Sequence, residues 1–172
     1  LDSYHRQYGL SSAFLLPDNL YAPHDNFDEV TSHVIPALIR KVEEARIRGD
    51  STVECWGTGN ASREFLYVAD AEEGIVRAAE RIDSPTPINL GTGKEITIRN
   101  LASEIVSACG YEGCLQWNPH YPDGQPRRCL DTKRAEELLD WRATTPFAEG
   151  LRRTIDWYRN SARSELRDDN ER

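Results

Sequence analysis

Residues 19–36, NLYAPHDNFDEVTSHVIP, carry the chain from the end of an apolar strand, through a long polar loop, into an amphipathic helix. A strand that feeds a helix through such a loop commits this part of the chain to an α/β architecture. It is also where α/β proteins place their chemistry. Two histidines, His24 and His33, lie on or beside the loop. Only about 20 residues precede it, too few for the domain such a loop serves. The expectation is therefore part of a larger protein, an expectation reinforced by a chain that begins at Leu1 and contains no methionine.

The pattern on either side supports the same class. Residues 1–9 read as the last turns of a helix ending at Gly9, and 13–16 as a short strand closed by Pro17. After the loop over 18–30, Thr31 or Ser32 can cap a helix that runs to Arg48 and stops at Gly49-Asp50. Its apolar positions Val34, Ile35, Leu38, Ile39, Val42 and Ala45 fall at helical spacing, with Arg40, Lys41, Glu43 and Glu44 on the other face. Strands follow at 52–56, 63–68, 85–90, 96–98 and 115–117. Helices follow at 70–81, 99–108, 133–139 (capped by Asp131 or Thr132) and 147–158. Strands alternating with helices at short spacing predict an α/β architecture.

A net charge of −8 argues against nucleic acid or an anionic membrane as the main partner. No apolar run approaches a membrane span, and the polar start does not resemble a signal peptide, which predicts a cytoplasmic protein. The four cysteines are scattered, without a C-x-x-C pair, which argues against zinc. Cys55, Cys114 and Cys129 lie in apolar runs and read as small, reduced core residues. No metal site is expected.

Several residues are candidates for chemistry. His33, at the start of a helix, is either a capping residue or a proton carrier. His24, in a turn-like run, needs only a solvated role. Arg63 sits between a polar turn and the apolar run Phe65-Leu66-Tyr67-Val68, where it pairs either with an acid such as Glu64 or Asp70 or with a phosphate. Arg40 and Lys41 either join the same anion site or form a solvated helix face. Trp56, at a strand end, is either core or a flat face for a nucleobase. Arg127 and Arg128, after a rigid turn, could clamp a phosphate. Gly57-Thr58-Gly59 and Gly91-Thr92-Gly93 lack the third glycine of a dinucleotide fingerprint and read as tight turns after strands.

Taken in order, NLYAPHDNF, SHVIPALIRK, WGTGNASREFLYVAD, NLGTGKEITIRNLA and PDGQPRRCLDTKRAEELL resemble the C-terminal half of a GDP-L-fucose synthase. That is an extended short-chain dehydrogenase/reductase of the NAD-dependent epimerase/dehydratase family. REFLYV and NLGTG are superfamily signals, whereas HDNF…SHVIPALIRK with PDGQPRRCLD is more specific. The resemblance, over residues 1–158, implies the end of an extended Rossmann-type parallel sheet plus the small nucleotide-sugar-binding domain. It implies conversion of GDP-4-keto-6-deoxy-D-mannose to GDP-L-fucose with NADPH, by 3,5-epimerisation and 4-reduction, in an enzyme that is a homodimer when complete. It makes His33 the acid/base histidine and a cofactor contact. It places Pro17, Asp18, Asn19 and Leu20 at the nicotinamide part of NADP. Lys41, Trp56, Arg63 and Asp123 become contacts to the GDP-sugar.

The chain departs from the family pattern at Asp18, where threonine or valine is usual, at Ala22 in place of glycine, and at Ala69 in place of aspartate. The resemblance implies that the glycine-rich fingerprint, a Tyr-x-x-x-Lys pair and the partner cysteine of epimerisation lie upstream of Leu1. Residues 1–160 are accordingly expected to form one C-terminal portion, with 161–172 a disordered tail and no reductase activity in the chain alone. The alternatives are a non-catalytic GDP-sugar-binding remnant and an enzyme for another nucleotide sugar.

Overall fold

The computed structural model describes the backbone of residues 1–170 and the side chains of residues 1–161. In chain order the elements are α1 (Asp2–Tyr8), β1 (Ala13–Pro17), β2 (Asn19–Tyr21), α2 (Val34–Arg48), β3 (Thr52–Trp56), β4 (Ser62–Tyr67) and α3 (Val68–Arg81). They continue with β5 (Ser84–Leu90), β6 (Glu95–Thr97), α4 (Ile98–Cys109), β7 (Cys114–Asn118), α5 (Lys133–Leu139) and α6 (Phe147–Asn170). Strand β2, inside the expected loop, is the one element without a counterpart in the sequence reading. The expected tail lies, from residue 162, outside the described side chains.

Two compact units emerge, each assembled from separate stretches of chain: residues 1–20, 63–95 and 127–145 in the first, and 21–62, 96–126 and 146–172 in the second. In the first unit β1 and β5 pair in parallel, Leu15 beside Ile88 and Pro17 beside Leu90. Asp18 N extends the ladder by donating to Leu90 O at 3.0 Å. Pro85 and Pro87 remove two donors from β5, and the register shifts between Ala13 and Phe14. Helices α1, α3 and α5 pack on this pair. The core is Leu66, Ala71, Ala78, Ile88, Leu90, Ala135, Leu139 and Trp141. Trp141 Nε1 donates to Asp70 O at 3.0 Å, and the Asp70 carboxylate accepts from the amides of Thr144 and Thr145, both at 3.1 Å.

In the second unit β3 and β7 pair in parallel, Val53 beside Leu115 and Trp56 beside Asn118. Helix α2 packs on β3 and on α4, and α4 packs on α6. The apolar stripe read from α2 is buried as expected at Ile35, Leu38, Ile39, Val42 and Ala45. Glu43 is buried with them, not on the solvated face. Its carboxylate accepts from Arg159 Nη2 of α6 at 2.6 Å and from Arg46 at 2.9 Å. Burial opposes its charge, but the two guanidinium groups outweigh burial and hold the carboxyl below the usual range. The sequence reading of the cysteines is also corrected: Cys55 and Cys109 are buried, whereas Cys114 is exposed on β7 and Cys129 is half-buried. Burial pushes the thiols of Cys55 and Cys109 up, so neither is a nucleophile near neutral pH. Among the described residues no helix is long and apolar enough to cross a membrane. The short strands β2, β4 and β6 lie in that order in a third sheet.

Candidate functional site

His33 is the N-cap of α2, with extended backbone (φ −73, ψ 171) and no side-chain cap bond. The expected caps are used otherwise. Thr31 Oγ1 donates to Asp28 Oδ1 at 2.8 Å, and Ser32 Oγ is buried without a partner among the described residues. Asp28 also accepts from the amides of Val30 at 3.0 Å and Thr31 at 2.9 Å. These donors, led by the Thr31 hydroxyl, hold the Asp28 carboxyl below its usual range. The turn before α2 is therefore shaped by Asp28, and His33 emerges from it exposed, its imidazole unbonded among the described residues. His24 has more than a solvated role. It adopts φ 65, and its ring lies 4.7 Å from that of Trp157 on α6, while Phe27 stacks on Trp157 and Tyr158. The loop is thus pinned to α6 by aromatic contacts.

Lys41 and Trp56 come together in the second unit. The Lys41 Nζ lies 4.7 Å from the Trp56 ring centroid, a cation–π contact, and 3.4 Å from Glu54 O. Tyr121, which sequence reasoning did not single out, stacks on Trp56 with centroids 4.6 Å apart and planes at 14°. All three line a groove of about 730 Å³ together with Arg40, Glu44, Arg48 and Glu54. Arg40 and Arg48 pair with Glu44 at 3.1 and 3.4 Å, so Lys41 is the groove cation without a carboxylate partner among the described residues. The buried Arg40 Nε has no acceptor among them. The signal for Tyr121 was its place in the Pro- and Gly-rich loop between Asn118 and Asp123, but nothing in the sequence says which strand end that loop meets.

Both Gly-Thr-Gly turns are closed by carboxylates of the same chain. Asp123 Oδ1 accepts from Thr58 N and Oδ2 from Thr58 Oγ1, both at 2.6 Å, which holds the Asp123 carboxyl below its usual range. A Cβ at Gly57 would collide with Asp123 Oδ1. In the first unit Glu64, fully buried, accepts from the amides of Thr92, Gly93 (2.8 Å) and Leu130 (2.8 Å). A Cβ at Gly91 would collide with its Oε1. The amide donors that a phosphate would use are therefore committed to Glu64.

Pro17 ends parallel strand β1, and Asp18, Asn19 and Leu20 follow its carboxyl end, where open α/β sheets bind ligands. The Asp18 side chain turns inward. Its Oδ1 accepts from Asn19 N at 2.7 Å and Asn19 Nδ2 at 2.8 Å, its Oδ2 is buried without a hydrogen bond among the described residues, and Arg128 Nε is 3.8 Å away. Burial, reinforced by Glu64, pushes its carboxyl above the usual range despite the Asn19 amide. The expected phosphate clamp is likewise engaged internally, Arg128 with Asp18 and Arg127 with Glu95 at 2.9 Å. Arg63 lies half-buried on β4 in the same unit.

A family model for the NAD dependent epimerase/dehydratase family matches residues 1–91. The chain belongs to that family. It is 40% identical over 156 residues to GDP-L-fucose synthase 1 of Arabidopsis thaliana, covering 91% of this chain and 48% of that protein. It is 39% identical over 166 residues to GDP-L-fucose synthase of Escherichia coli strain K12, covering 91% and 51%. A crystal structure of a GDP-L-fucose synthetase from Naegleria fowleri bound to NADP superposes with a TM-score of 0.81 at 28% identity, covering 87% of this chain and 45% of that one. This epimerase/dehydratase family member thus spans about half the length of these relatives. The Asp18 side chain is buried and turned inward, so it presents no charge at the outer surface of residues 17–20. The two Gly-Thr-Gly turns do not fit a pyrophosphate, since each is already filled.

Proposed function

We propose that this chain forms the sugar-nucleotide-binding part of an enzyme that converts GDP-4-keto-6-deoxy-D-mannose to GDP-L-fucose. One observation carries the reading: Lys41 lies over Trp56 in an open groove. A cation beside an aromatic face matches the two recognisable parts of a nucleoside diphosphate, its anionic phosphates and its flat base. The identity to GDP-L-fucose synthases supports the choice of nucleotide sugar. In this assignment Arg63 binds the diphosphate, and Asp123, tied to Thr58, contacts the GDP-sugar. Pro17, Asp18, Asn19, Leu20 and His33 contact the nicotinamide part of NADP.

The chemistry begins at the ketone on carbon 4 of the sugar, which acidifies the protons on carbons 3 and 5. Taking each proton from one face and returning one to the other inverts the centre. His33 is suited to hold such a proton, because its exposed imidazole makes no bond within the described residues. When bound, the nicotinamide supplies the hydride that reduces carbon 4.

Calorimetry tests the binding reading. The folded chain binds GDP saturably and more tightly than UDP, and Lys41→Ala, Trp56→Ala and Arg63→Ala each weaken that binding about 10-fold, the size of one lost charged or stacking contact. A folded chain that ignores GDP contradicts it. A second reading, GDP-sugar binding without catalysis, is favoured by the carboxylates that fill both Gly-Thr-Gly turns. Turnover of NADPH and the keto sugar by the chain at an enzymatic rate eliminates that reading.

A further inference from the structure

Tyr121 is held close to Trp56 by its backbone and not by its hydroxyl. The loop that carries it leaves β7 at Asn118, whose Nδ2 donates to Glu54 Oε1 at 2.7 Å, and Tyr121 N donates to Asn118 O at 3.3 Å. Two residues further on, Asp123 is bound to Thr58 by two short hydrogen bonds. The loop is therefore anchored on both sides of Tyr121, and Trp56 is fixed by the pairing of β3 with β7. Between these anchors the phenol hydroxyl makes no hydrogen bond among the described residues, so the ring can swing about its side-chain torsions without leaving a polar group behind.

Trp56 is 58% exposed and Tyr121 40% exposed, yet their rings are near-parallel at 4.6 Å. Two large apolar faces that cover each other at the wall of an open groove, with a cation over one of them, form an arrangement that a planar ligand can enter. A base entering between the rings exchanges one ring–ring contact for two ring–base contacts.

We propose that Tyr121 is a second stacking face for the nucleobase, and that the base inserts between Trp56 and Tyr121; this rests on the groove being the sugar-nucleotide site. A purine overlaps two flanking rings more fully than a pyrimidine does, so Tyr121 also favours GDP over UDP. Because the ring acts through its face, the hydroxyl is dispensable.

Calorimetry of the full chain with GDP and with UDP, for the wild type, Tyr121→Ala and Tyr121→Phe, tests this. Tyr121→Ala weakens GDP binding about 10-fold, within the range of one lost base–aromatic stack, and narrows the preference for GDP. Tyr121→Phe binds as the wild type does. Wild-type binding that Tyr121→Ala leaves unchanged or tightens overturns the role of Tyr121 alone and leaves the groove assignment standing. A folded wild-type chain that binds neither nucleotide overturns the groove assignment and this inference together.

Discussion

The Glu64 carboxylate sits in the Gly91-Thr92-Gly93 turn, its Oε1 accepting from Gly93 N at 2.8 Å. It also accepts from the amides of Thr92 and Leu130, so one fully buried side chain satisfies three backbone donors. Glu64→Ala removes the acceptor from three part-buried donors and leaves a cavity, and is expected to cost about 3 kcal/mol. Urea unfolding measures it, and a loss below about 1 kcal/mol would contradict the role assigned to Glu64.

Asp18 makes stability depend on pH. Its carboxyl is raised by burial, so the folded chain holds that proton more tightly than the unfolded chain does. The stabilisation from that proton is complete below about pH 4, the ordinary aspartate value, and is lost as pH rises through the raised value. Asp18→Asn removes the loss and gives Glu64 a donor. The variant should match the wild type at low pH and exceed it at pH 8, measured as thermal or urea stability.

Glu43 behaves in the opposite sense. Arg159 and Arg46 hold its carboxyl below the usual range against burial. Its contribution is present above the unfolded value and fades as pH falls through the lowered one. Arg159→Ala leaves a buried carboxylate with Arg46 alone and should cost about 3 kcal/mol near neutral pH, less in acid. Equal losses at pH 3 and pH 7 would count against this account.

Among the described residues strand β1 pairs with β5 alone, and Leu10, Phe14, Leu16 and Leu20 are exposed on or beside it, with Tyr4 and Tyr8 on α1. An uncovered parallel strand with apolar side chains invites association. Sedimentation of the isolated chain should reveal self-association that Phe14→Lys with Leu16→Lys reduces. A wild-type chain that stays monomeric at high concentration would refute this.

Local signals made much of the fold legible. The stripe from Ile35 to Ala45 is periodic because α2 buries one face, and Gly9 and Gly49 mark real left-handed helix ends. Interactions between distant residues were not legible. Glu43 looked solvated because its partner Arg159 lies 116 residues away. The Gly-Thr-Gly turns could be read as turns, but not the carboxylates that fill them, which come from 28 and 65 residues away. Lys41 and Trp56 could be named, whereas Tyr121 could not, because stacking depends on where a loop returns. Strand β2 is three residues long and too short to give a periodic signal.

A GDP-sugar is proposed to bind in the Lys41–Trp56–Tyr121 groove. GDP titrated into isotopically labelled chain, followed by amide and indole N–H resonances, tests it most directly. The Trp56 indole and the amides of Lys41 and Tyr121 should shift saturably, while the Trp141 indole, bonded to Asp70 O in the core of the first unit, stays in place. Saturable shifts confined to residues outside the groove, or no shifts in a folded chain, would contradict the claim.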